Sequence, residues 1–152
     1  MDKEVDNKRL AQDDTPQNQA YLAQDDTPQN QAFSAQCLAY MGDAVFELYV
    51  RKMLLEKGNR PVNMLNVHAR KYVSATAQSA MYHNIEPHLT PEELSVMRRG
   101  RNLHNQSKAK NANVADYRHA TGLETLFGHL FLMDKHERLA EIFALCTPQT
   151  KD

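Results

Sequence analysis

Apolar residues recur at helical spacing along most of the chain beyond residue 33, and hardly at all before it. At about 100° per residue, Leu38, Met41, Val45 and Tyr49 fall on one face of a helix that is apolar nearly all the way round. Gly58-Asn59-Arg60-Pro61 interrupts that pattern and ends the helix. The next periodic stretch predicts a helix from about Met64 to His83, carrying Leu65, Ala69, Tyr72, Val73, Ala77, Ala80 and Met81. Thr90-Pro91-Glu92-Glu93 is a helix start: Thr90 caps, Pro91 fits the first turn and Glu93 can reach back. That helix is expected to run to about Arg99, with Gly100 at its end. Two more follow, from about Asp116 to Met133 and from about Lys135 to Cys146, the last turning Leu139, Ile142 and Phe143 inward. No segment alternates as a strand would, so the class is all-α.

Two carboxylates break this apolar pattern. Asp43 is flanked by Ala39, Phe46 and Val50, surroundings that predict partial burial. Glu124 sits in the middle of a face made by Ala120, Phe127 and Phe131, and Gly128 one turn on is small enough to admit a neighbouring helix. Burying an ionised carboxylate costs several kcal/mol unless a cation or hydrogen-bond donors meet it. A lone Glu on an apolar stripe most simply pairs with a core Arg or caps a backbone. Two such carboxylates on helices able to pack together point instead to a shared divalent metal. Glu47 lies four residues from both Asp43 and Arg51, so metal contact and an i,i+4 ion pair with Arg51 are equal readings.

Charge adds a second candidate surface. Between Glu93 and Asp116 there is no acidic residue, while Arg98, Arg99, Arg101, Lys108 and Lys110 fall in the window. Most charge runs are solvated loops. This one has a single sign and follows a helix end, which suits a phosphate backbone. No aromatic platform is interleaved with it, which favours duplex RNA, read by shape and phosphates, over single strands.

The segments carrying Asp43 and Glu124 together resemble the ribonuclease III catalytic domain. Gly42 to Glu47 match its signature-helix core, and Glu124, Thr125, Leu126, Phe127 and Gly128 fill the frame of its second acidic helix. Full-length enzymes of that family carry four carboxylates; two of the places hold Ala39 and Thr121 here. With its Tyr117-Arg118-His119-Ala120-Thr121 and Arg99-Gly100-Arg101-Asn102 segments, the chain is similar to the mini-ribonuclease III branch, over roughly Ala35 to Ile142. The resemblance implies a ribonuclease III endonuclease-domain-like helical fold and a twofold homodimer into which Tyr40 packs; from the sequence alone Tyr40 reads equally as a core residue. It implies catalytic and metal-binding roles for Asp43 and Glu124, Mg²⁺ with Mn²⁺ able to substitute, and in-line hydrolysis of double-stranded RNA. It further implies maturation of 23S ribosomal RNA precursor ends, with a ribosomal protein as a partner that could assist.

Composition bounds these readings. The chain has 152 residues, the range of one domain, and 41% of them are hydrophobic. Residues 1–32 hold 3 Lys/Arg against 7 Asp/Glu, whereas the remainder holds 15 against 12. The part expected to fold is thus mildly basic behind an acidic leader. Within that leader Leu10 to Ala20 recurs unchanged as Leu22 to Ala32. The unit lacks an apolar face, so it is read as a duplicated flexible segment without chemistry. The expected organisation is leader 1–32, catalytic domain 33–147 and tail 148–152. Few residues follow Glu124, so no separate double-stranded RNA-binding domain is expected there. No apolar run long enough for a membrane span and no secretory signal occur, and Cys37 and Cys146 read as buried and reduced in a cytoplasmic protein. The lost carboxylates at Ala39 and Thr121 motivate one rival, a non-catalytic helical RNA-binding or ribosome-assembly protein. A second rival is a metal-dependent phosphohydrolase of small nucleotides.

Overall fold

A computed structural model describes residues 33–103 and 113–147. The duplicated segment in 1–32, Lys108, Lys110 and the tail 148–152 lie outside the described residues. Those described form α1 (Ala35–Glu56), α2 (Val62–Val73), α3 (Ala75–Ile85), a 3-10 turn (Glu86–His88), α4 (Pro91–Arg101), α5 (Val114–Leu132) and α6 (His136–Cys146), with no strand among them.

Local chemistry sets the helix ends. Ser34 caps α1 by accepting from the Cys37 amide at 3.2 Å. Beyond its last turn Gly58 takes φ +139°, a conformation that side chains rarely allow. The expected single helix from Met64 to His83 is two. Ser74 is extended (φ −65°, ψ 151°) and its hydroxyl accepts from the Ala77 amide at 3.2 Å, so one residue ends α2 and caps α3. The Thr90–Glu93 capping box forms as expected, and Arg138 of α6 grips the Glu93 carboxylate at 2.9 and 3.0 Å. That ion pair and the Thr90 amide hold Glu93 below the usual carboxylate range, although it is buried.

Helix α5 is the axis of the fold. Ala120 to Leu123, Thr125 to Gly128 and Leu130 are buried, so it is enclosed on most sides, chiefly by α1, α3 and α4. An edge-to-face aromatic cluster ties α1 to α5 and α6: Phe46 lies 5.3 Å from Phe127 and 6.0 Å from Phe143 between ring centroids. Leu139, Ile142 and Phe143 face inward as the periodicity predicts. Gly100 does not end α4. It lies inside the helix, where a Cβ would come within 2.1 Å of Thr125 Oγ1, so its smallness serves packing on α5 rather than a turn. Of the two cysteines, Cys146 is buried, which pushes its thiol up to about 12, but Cys37 is exposed, contrary to expectation. No described helix is long and apolar enough to cross a membrane.

Candidate active site

Asp43 and Glu124 stand on helices α1 and α5, which two glycines let touch backbone to backbone. A Cβ on Gly42 would lie 1.6 Å from the Glu124 carbonyl oxygen, and one on Gly128 would lie 1.9 Å from the Leu38 carbonyl oxygen. Only glycine fits either place. Asp43 follows Gly42 directly, so this contact fixes it beside Glu124. The close approach expected of Gly128 therefore occurs, and Gly42 is its unforeseen counterpart.

Burial is divided unequally within the pair. Asp43 is exposed, which corrects the partial burial expected from its neighbours. Phe46 and Val50 are buried, but they turn into the core and leave Asp43 at the surface. Glu124 is half-buried, and its carboxyl is pushed up to about 7. Burial is the main cause and the negative charge of Asp43 the second; a hydrogen bond from the Gln78 side chain acts the other way.

Glu47 is engaged elsewhere. Arg51 Nη2 donates to its Oε1 at 2.6 Å, the i,i+4 alternative read from the sequence. Ala39 is half-buried on α1. The Thr121 hydroxyl donates to the Tyr117 carbonyl at 3.0 Å, so it is committed to its own helix. Among the described residues no group of three or more His, Cys, Asp and Glu gathers for a metal. The candidate donor set is Asp43 and Glu124. It fits a hard divalent cation: both donors are carboxylate oxygens, and a cation would offset the burial and like-charge repulsion that oppose ionised Glu124.

Three expected basic residues lie in the last turn of α4. Arg98 is exposed. Arg99, also exposed, donates to the Phe33 carbonyl at 3.3 Å. Arg101 donates to the Tyr82 hydroxyl at 3.3 Å and to Asn102 Oδ1 at 3.1 Å. Tyr40 is 85% exposed, which excludes the core reading of that residue. Sequence reasoning missed Gln78, which is 4% exposed and acts to lower the Glu124 carboxyl against its burial. A polar residue in a helix carries no periodic signal of its burial.

The Ribonuclease III domain family matches residues 36–135. The chain is 49% identical over 105 residues to Mini-ribonuclease 3 of Symbiobacterium thermophilum, covering 69% of this chain and 81% of that protein. It is 44% identical over 109 residues to Mini-ribonuclease 3 of Clostridium tetani, covering 71% and 72%. The crystal structure of protein FN1578 from Fusobacterium nucleatum superposes with a TM-score of 0.69 at 30% identity, covering 77% of this chain and 90% of that one.

Proposed function

The chain belongs to the ribonuclease III domain family, and on that premise we propose that it is a Mg²⁺-dependent endoribonuclease that cuts double-stranded RNA at Asp43 and Glu124. The observation that carries the reading is the pairing of an exposed carboxylate with a half-buried one across a glycine-mediated helix contact. A rigid duplex cannot enter a closed pocket, so its phosphates must be met at the surface, where Asp43 stands. A small nucleotide would be served better by an enclosing cleft. When bound, Mg²⁺ (or Mn²⁺ in its place) would activate water and stabilise the charge that develops on the phosphate during in-line hydrolysis to 5′-phosphate and 3′-hydroxyl ends.

The protein's own groups supply the rest. Asp43 and Glu124 would hold the cation, and they stand on two helices whose contact admits no slack. Arg98, Arg99 and Arg101, extended by Lys108 and Lys110, bind the phosphate backbone. Exposed Tyr40, Ala44, Leu48 and Leu55 lie along one side of α1. That apolar stripe supports a twofold homodimer that carries one site for each RNA strand. Maturation of 23S ribosomal RNA precursor ends in the cytoplasm, with a ribosomal protein assisting, is the role we propose for it. In the same reading the leader 1–32 and tail 148–152 flank a catalytic domain of residues 33–147.

The direct test is incubation of a labelled RNA duplex with and without Mg²⁺. Cleavage only with the metal, and none of a single strand, is the expected result. Binding without cleavage would favour the RNA-assembly reading that Ala39 and Thr121 motivate. With limiting Mg²⁺, cleavage should rise as pH increases through about 7, since a proton on Glu124 competes with the metal. Excess Mg²⁺ should move that rise to lower pH, and a flat profile would count against Glu124 as a ligand.

Replacing Arg98, Arg99 and Arg101 together by Ala should weaken binding to all duplexes alike. The slope of log affinity against log salt should flatten by about one for each lost phosphate contact. Equal affinities at several salt concentrations would return these side chains to the fold, where Arg99 and Arg101 already have partners.

A further inference from the structure

We propose that the cleft between α1, the end of α2, α3 and α6 binds a nucleoside polyphosphate. Its walls enclose about 830 Å³, within the range of small-ligand sites. From α1 it is lined by Tyr49, Lys52, Met53 and Glu56. At about 100° per residue these lie roughly a third of a turn from Asp43 and also from the exposed stripe that carries Tyr40, Leu48 and Leu55. The cleft is therefore separate from the carboxylate pair and is left open by the dimer proposed above.

Side-chain size opens this space. Ala80 of α3 and Ala144 of α6, both exposed, line it where longer apolar residues would close it. Met81 and Phe143 give it a buried apolar floor. Tyr49 and Tyr72, both half-buried, supply rings on which a planar base can stack. The Asn84 amide, also in the lining, can both donate to and accept from the edge of that base.

Charge selects the other half of the ligand. Between Glu56 and Glu86 the chain has no acidic residue, but it has Lys57, Arg60, Arg70 and Lys71. Glu56 is the one carboxylate lining the cleft, and Lys52 pairs with it. No ion pair holds Lys57 or Lys71 among the described residues. Lys57 Nζ lies 6.0 Å from the Tyr72 ring centroid, so a cation and an aromatic face stand together at the rim. Lys57, Lys71 and Tyr72 also border a smaller hollow of about 220 Å³, to which Arg60 and His68 belong. Positive charge thus continues past the rim, which fits a chain of phosphates better than a single one. The same chemical group is offered by a free nucleotide and by the 5′-triphosphate end of an RNA.

The test is calorimetric titration of the full-length chain without divalent metal, so that no nucleotide is held through a cation at Asp43 and Glu124. ATP should bind at least about 10-fold more tightly than AMP, adenosine or inorganic tripolyphosphate. Tripolyphosphate binding as tightly as ATP would overturn the proposal, because a bare cationic surface would explain it.

Two variants locate the site. Lys57→Gln combined with Lys71→Gln removes charge from the rim, and Ala144→Phe fills the cleft without changing charge. Each should weaken ATP binding by about 10-fold or more, and affinity within about twofold of wild type in either would overturn the assignment. Melting temperature and duplex affinity should stay at wild-type values. A parallel loss of duplex affinity would make this surface part of the duplex track and overturn a separate site. A 5′-triphosphate oligoribonucleotide is titrated beside ATP. Loss of its binding in the same variants assigns the site to an RNA end; binding that the variants leave unchanged assigns it to the free nucleotide.

Discussion

Asp43→Asn is expected to slow duplex cleavage by at least about 100-fold, close to 3 kcal/mol of transition-state stabilisation, with the fold and duplex binding unchanged. The side chain is exposed and contributes nothing to the core, so an isosteric amide there should leave the melting temperature where it is. What it removes is an anionic ligand. Single-turnover cleavage of a labelled duplex at saturating Mg²⁺ measures the loss, and wild-type rates would remove Asp43 from the site.

Glu124→Gln should lose as much activity but differ in stability. The folded carboxyl is pushed up to about 7, above the ordinary 4.5 that applies to the unfolded chain. Between those values the folded state binds the extra proton. Stability without metal therefore declines as pH rises through this window, and the penalty is complete above about 7. Gln cannot ionise, so the metal-free variant should melt higher than wild type near pH 8, and the difference should vanish near pH 4. Glu47→Gln should be far milder than either, because Glu47 already pairs with Arg51 at the surface. An equal loss of cleavage in Glu47→Gln would show that the ion pair opens to give a third ligand.

Gly42→Ala is the second large effect. A Cβ there would stand 1.6 Å from the Glu124 carbonyl oxygen and 2.9 Å from the Gly128 amide nitrogen, both of them backbone atoms of α5. No rotamer change can relieve that clash. The helices must part by roughly 2 Å to restore ordinary contact, and overpacking of this kind costs about 1–3 kcal/mol or more. A fall in melting temperature on the order of 10 °C follows for a domain of this size. Cleavage should suffer beyond what instability explains, because parting α1 from α5 parts Asp43 from Glu124. Misplacing reacting groups by about 1 Å can cost around 100-fold. Thermal melting together with cleavage well below the melting point separates the two losses. Wild-type values in both would mean that the helices can shift without cost, and that the glycine contact does not set the site.

The features the sequence determined unaided are those whose physics is local. Helical periodicity marked α1, α5 and α6 because a face that meets a core repeats every three to four residues. The Thr90–Glu93 box was readable because both its partners lie within one turn. So was the Glu47–Arg51 pair, at i,i+4. Gly128 beside an apolar face announced a close helix contact, though not what would fill it.

Ser74 shows where local reading ends. The apolar pattern runs through it, yet its hydroxyl competes for the Ala77 amide and the chain breaks there. That break re-aims α3, and Gln78 and Ser79 turn inward as buried polar residues that no hydrophobic pattern could display. Gly100 looked like a helix end and is a packing surface, because the Thr125 side chain that crowds it lies on another helix. Asp43 looked buried because its sequence neighbours are, but α5 meets α1 through Gly42 and leaves the next residue outside. The sequence supplied the residue types for the site. Its assembly depended on backbone atoms about eighty positions apart coming into contact, and only the packed tertiary structure decides that.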